Sequence, residues 1–157
     1  MLTVEPRGPI AKPAWPVWYH GPVSIERINP GDLAQPSGFS HAIAATGGHL
    51  VFLAGQTGYR PDGAITGGGL VSQFKQALSN LLAALRAAGG APSDLVSLTI
   101  YAVDLAEYRA QAREIGRAWR QLCGRDYPAM AAVGVSRLWD TDALVEVQGI
   151  AVVGAAG

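Results

Sequence analysis

The chain has 157 residues, 49% of them hydrophobic and 15% charged, and its twelve basic and twelve acidic side chains leave a formal net charge of zero. That length suits one domain, burying about 70% of the surface its unfolded form exposes. The charge balance argues against a nucleic-acid or anionic-membrane partner and leaves a small molecule or another protein.

Cys123 is the only cysteine, which rules out an intrachain disulfide and a cysteine cluster for zinc. His20, His41 and His49 lack metal-ligand spacing, so no metal site is expected. There is no basic segment followed by an apolar run at the N-terminus, and no stretch of about 18 apolar residues, so a cytoplasmic location is expected.

Residues 1–23 hold five prolines with Trp15, Trp18 and Tyr19, a composition that predicts an extended arm laid on the body or over a cleft. A single domain is expected over 24–157. A short strand over Ser24 to Ile28 leads to a turn at Asn29-Pro30-Gly31-Asp32. Two further strands, His41 to Thr46 and His49 to Ala54, flank Gly47-Gly48, a connection of hairpin type. Gly55-Gln56-Thr57-Gly58 closes the second. Its backbone N–H groups are either ligand-facing or a plain strand exit.

The period then changes. Leu70, Phe74, Leu78, Leu81 and Leu85 form a helical stripe, stopped by Gly89-Gly90. Gly67-Gly68-Gly69 precedes this helix, but no Lys-Ser/Thr follows it, so a phosphate loop is excluded. Leu95 to Val103 alternates as a strand. Asp104 and Glu107 form a capping pair for a second helix carrying Tyr108, Ala112, Ile115, Trp119 and Leu122 inside, with Arg109, Arg113, Arg117 and Arg120 read as a solvated face.

Two apolar strands close the chain, Ala131 to Val135 and Leu144 to Val153, joined through Trp139-Asp140-Thr141-Asp142. The last puts Glu146 and Gln148 on one strand face, with Val145 and Val147 on the other. A carboxylate in so apolar a strand is costly to bury without a partner. Glu146 is therefore the leading functional candidate, with a structural ion pair at a subunit contact as the alternative. The order of elements predicts an α+β fold with both helices on one face of a sheet, and a neighbouring subunit over the other.

Segments 37–58 (SGFSHAIAATGGHLVFLAGQTG), 93–105 (SDLVSLTIYAVDL), 127–135 (YPAMAAVGV) and 145–153 (VEVQGIAVV), with the AAGG that ends the first helix, resemble the YjgF/RidA family in sequence and order over about residues 24–153. The resemblance implies a chorismate-mutase-like α+β fold assembled as a homotrimer, with ligand clefts between subunits. It also implies hydrolysis of enamines and imines such as 2-aminoacrylate without metal or organic cofactor. Carried over by position, Glu146 matches the glutamate associated with the attacking water and Gly55 the glycine whose backbone faces the ligand. Phe39 falls where a tyrosine often lines the pocket, and Ala132 where the backbone approaches the ligand.

Met130 departs from the pattern, standing where deaminating members carry the arginine that grips the substrate carboxylate. A charge-assisted pair is worth roughly 1.5–3 kcal/mol, so a thioether there costs at least about tenfold in binding an anion and favours an apolar or aromatic ligand. Arg137 lies about 23 Å along an extended strand and cannot compensate from the same chain. Arg60, after the glycine-containing loop, is the better candidate. The implied function is an imine or enamine hydrolase, or a related acid/base enzyme, acting on a substrate other than 2-aminoacrylate, with Glu146 as acid/base and Gln148 orienting water. The alternative is a non-catalytic binding or chaperone-like trimer.

Overall fold

The computed structural model describes residues 22–154. The expected arm lies outside them except for Pro22 and Val23. Six strands and three helices follow in order: β1 (Ser24–Ile28), β2 (Ala42–Thr46), β3 (His49–Gln56), α1 (Gly69–Ala87), β4 (Leu95–Ala102), α2 (Leu105–Ala110), α3 (Ala112–Cys123), β5 (Ala129–Gly134) and β6 (Val145–Val153). A single 3₁₀ turn, Pro92–Asp94, leads into β4. None of the described helices is long and apolar enough to cross a membrane.

The main sheet is mixed, in the order β3-β6-β4-β5. β6 is antiparallel to both β3 and β4, whereas β5 is parallel to β4. That parallel pair requires a crossover, which α2 and α3 supply. β5 and β6 follow one another in the chain but do not pair, because β4 lies between them.

The hairpin expected at Gly47-Gly48 needs correction. Both glycines take positive φ, 71° and 68°, as a tight reversal demands. Yet β2 pairs with β1, and β3 pairs with β6 in the other sheet. The glycines redirect the chain between sheets. At Gly48 there is no room for a side chain, since an added Cβ would stand 2.6 Å from the Val153 carbonyl oxygen and from Val23.

The predicted stripe of α1 is the centre of the core: Leu70, Phe74, Leu78, Leu81 and Leu85 are all buried. They meet Leu98 and Ile100 of β4 and Val145 and Val147 of β6. The helix stops where Gly89 turns to φ 87° and the Gly90 N–H donates to the Leu85 carbonyl, satisfying the last carbonyls. The second predicted helix is instead two, α2 and α3, meeting at Gln111; nothing in its sequence pattern accounts for the break. Asp104 caps α2 by accepting from the Glu107 N–H at 2.9 Å. All three helices lie on one face of the main sheet, and the opposite face leaves Phe52 at 74% and Leu50 at 63% exposure.

Candidate functional site

Strand register decides which side chains share a face. Tyr101 of β4 pairs with Glu146 of β6 and Val133 of β5, and Thr99 pairs with Gln148 and Ala131. These residues form the uncovered face, together with Ile150, Phe52 and Leu50. One residue out of phase, Leu98 pairs with Met130, and Ile100 with Val147 and Ala132. Those residues look towards the helices.

On the uncovered face Glu146 is half-buried, and its carboxylate makes no hydrogen bond or ion pair with any described residue. It lies against Gly55 of β3, where an added Cβ would overlap Oε1 and stand 2.8 Å from the carboxyl carbon. The glycine leaves the space that the carboxylate fills. Gln148 is exposed, and its Oε1 accepts from the Tyr101 hydroxyl at 3.2 Å. That bond leaves the amide NH₂ of Gln148 turned to the same surface.

Met130 lines a different hollow, a cavity of about 420 Å³ between α3 and the helix-facing side of the sheet. Its walls are the aromatic rings of Phe74, Tyr108, Trp119 and Tyr127, with Ile100 and Met130 on the sheet side. Trp119 stacks on Tyr127 with centroids 5.6 Å apart, and Phe74 meets Tyr108 edge-on at 6.4 Å. Burial pushes the Tyr108 hydroxyl up to about 12, so it remains a neutral donor or acceptor at physiological pH.

The loop before β2 closes one end. Ser40 donates its N–H to the Pro128 carbonyl at 2.9 Å and its hydroxyl to the Tyr127 carbonyl at 2.7 Å, which lays Ser37 and Gly38 on the cavity. Phe39 follows them but does not line it; its ring meets His41 edge-on at 5.1 Å.

Within one chain, therefore, the sequence-derived residues separate into groups. Glu146, Gly55 and Gln148 belong to the uncovered face, and Met130 and Ala132 to the other. Arg60 does not join either group: its guanidinium pairs with Asp62 at 3.0 Å, and it does not line the Met130 cavity. Arg113 and Arg120 are exposed, as the solvated-face reading expects, and they also border it. The helical period placed them at the flank of the inner stripe, and only the position of β5 shows that this flank borders a cavity. Trp139 is 95% exposed and joins no site.

A second hollow of about 490 Å³ lies between the Tyr59–Gly67 loop and Asp140–Asp142. Tyr59 donates to Asp140 there, and that bond raises the tyrosine pKa above 10.0. Beneath it, Gln73 of α1 donates to the Asp142 carbonyl at 3.0 Å and accepts from the Leu144 N–H at 2.8 Å. This clamp holds the backbone immediately before β6, two residues ahead of Glu146. No group of three or more His, Cys, Asp or Glu among the described residues could hold a metal ion.

The same fold occurs in known proteins. A Rid-family protein from Yersinia pestis superposes with a TM-score of 0.75 at 33% identity, covering 82% of this chain and 98% of that one. A RutC family protein of Pyrococcus horikoshii is 37% identical over 114 residues, 72% of this chain and 85% of its own length. A goat (Capra hircus) protein named 2-iminobutanoate/2-iminopropanoate deaminase is 32% identical over 105 residues, 66% of this chain and 73% of its own. The family model described as Endoribonuclease L-PSP matches residues 32–153, and with these relatives it makes the chain a member of the YjgF/RidA family.

Proposed function

We propose that this chain is a small-molecule imine or enamine hydrolase whose active site is completed between copies of itself, and that it acts on a substrate other than 2-aminoacrylate. The observation that carries the reading is Glu146, a half-buried carboxylate without a partner among the described residues, seated against the Gly55 backbone on an apolar sheet face. Such a face, with Phe52 and Leu50 uncovered, suits burial by another subunit. Because the Met130 cavity opens on the opposite side of the sheet, Glu146 of one subunit and Met130 of its neighbour form one site in a homotrimer. The relatives named as iminobutanoate/iminopropanoate deaminases support the reaction class. The family description names an endoribonuclease, but zero net charge favours a small substrate over a polynucleotide.

In this reading the Glu146 carboxylate takes a proton from water as the water oxygen bonds to the imine carbon. The C=N electron pair passes to nitrogen, which takes that proton from Glu146. The carbinolamine hydroxyl then gives its proton to Glu146, which passes it to the nitrogen as the C–N bond breaks, leaving a carbonyl compound and ammonia. Gln148, held by Tyr101, orients the water. Met130 in place of an arginine removes the grip that would select a three-carbon acid.

The test generates 2-aminoacrylate and a bulkier imino acid in situ and follows their decay. Wild type accelerates the bulkier one more, and Glu146→Gln abolishes the effect; acceleration that survives Glu146→Gln removes the catalytic assignment. If wild type accelerates neither, Met130 marks a binding trimer that has lost the chemistry. Light scattering gives about 49 kDa, three times 16.3 kDa, for the trimer.

A further inference from the structure

We propose that the cavity between α3 and β5 binds the carboxylate of an aromatic 2-oxo or 2-imino acid through Arg113 and Arg120, with the ring between the aromatic walls. This rests on reading that cavity as the substrate pocket, and it names the substrate class. The anion grip that is missing at Met130 is supplied from the helix opposite.

Four observations converge on this. First, the four arginines of the second helical segment are not alike. Arg117 is neutralised by Glu114 at 2.7 Å, whereas Arg113 and Arg120 line the cavity and form no ion pair or hydrogen bond with any described residue. They stand seven residues apart, two turns along one helix face. No aspartate or glutamate lines the cavity to neutralise them.

Second, Gly116 lies between them and also lines the cavity. A Cβ added there would stand 3.5 Å from Arg120 Nη1. The Arg120 side chain thus folds back over the glycine in the direction of Arg113, as helical side chains lean towards the N-terminus. The missing side chain leaves open space beside the Arg120 guanidinium on the face that also carries Arg113.

Third, Trp119 is 2% exposed, and its buried Nε1 has no hydrogen-bond partner among the described residues. A buried donor left unmatched beside a cavity calls for an acceptor. Fourth, the walls are four aromatic rings held in stacked and edge-on pairs, a lining that favours a planar ring. About 420 Å³ also falls in the range of pockets that enclose ring-sized ligands. Two exposed cations without a partner among the described residues, at the rim of an aromatic hollow, together specify an aromatic acid.

Calorimetric titration of the full chain with phenylpyruvate, pyruvate and phenylacetone tests this. Phenylpyruvate has both ring and carboxylate, pyruvate lacks the ring, and phenylacetone carries a methyl group in place of the carboxylate. Wild type binds phenylpyruvate at least about tenfold more tightly than either. In Arg113→Gln/Arg120→Gln the phenylpyruvate affinity falls about tenfold, while phenylacetone binding stays within about twofold and reports an intact fold. Gly116→Leu fills that space and weakens phenylpyruvate binding about as much. Equal binding of acid and ketone by wild type overturns the proposal, as does a preference for the acid that persists in the double arginine variant. If imine turnover fails while the arginine-dependent preference holds, only the hydrolase reading falls; if turnover holds without that preference, only the anion site falls.

Discussion

Glu146 and Gly55 occupy one space: the carboxylate of the first fills the volume that a side chain on the second would need. Gly55 takes no positive φ, so alanine fits its backbone. The obstacle is the tip of a flexible side chain, which can swing away. Gly55→Ala is therefore expected to change stability by less than about 1 kcal/mol. It displaces the carboxylate and lowers kcat/KM for imine hydrolysis by at least about tenfold. Thermal melts and imine decay measured side by side separate the two effects.

Met130→Arg places a guanidinium on the cavity wall opposite Arg113 and Arg120. The ratio of kcat/KM for 2-aminoacrylate to that for a bulkier imino acid rises by about tenfold. The new charge stands near the other two, so stability falls by about 1–2 kcal/mol. An unchanged ratio would show that Met130 does not touch the substrate.

Gln73 tests how β6 is positioned. Replacing it with leucine removes both the donor to the Asp142 carbonyl and the acceptor of the Leu144 N–H at a residue only 5% exposed. Each backbone group left without a partner costs about 1–3 kcal/mol. Urea denaturation of Gln73→Leu reports that loss, and hydrogen exchange rises first at the start of β6.

How much of this was legible in the sequence differs from element to element. The α1 stripe was readable because its period is a local property, and every residue of it is buried. The Gly47-Gly48 turn was equally local, yet it misled, because a turn states that the chain reverses and not which strand it meets. Likewise, no window of sequence shows β4 lying between β5 and β6, and that placement puts Met130 and Glu146 on opposite faces. The cavity arginines were hidden for the same reason. Arg113, Arg117 and Arg120 look alike on a helical wheel, and the position of β5 and a neighbouring Glu114 tell them apart.

Burial pushes the Cys123 thiol from 9.0 up to about 12. The unfolded chain therefore gives up this proton more readily than the folded one. Stability is intact below pH 9 and is lost as pH rises towards 12, with a slope of up to about 1.4 kcal/mol per pH unit from this group. Tyr108, raised from 10.0 to about 12, adds to the loss above pH 10. Denaturation midpoints between pH 8 and 11 follow this decline, and a thiol reagent at pH 8 labels the native protein far more slowly than the unfolded one.

The β1–β2 ribbon shares no backbone ladder with the main sheet. It is tied down by Val23 packing at Gly48 and by Arg27, which reaches Asp126 at 3.6 Å and the Ser93 carbonyl at 3.4 Å. A two-stranded ribbon is marginal on its own. This piece of the molecule can peel away while the remainder holds its shape, so a protease cutting under mild conditions finds its first foothold there.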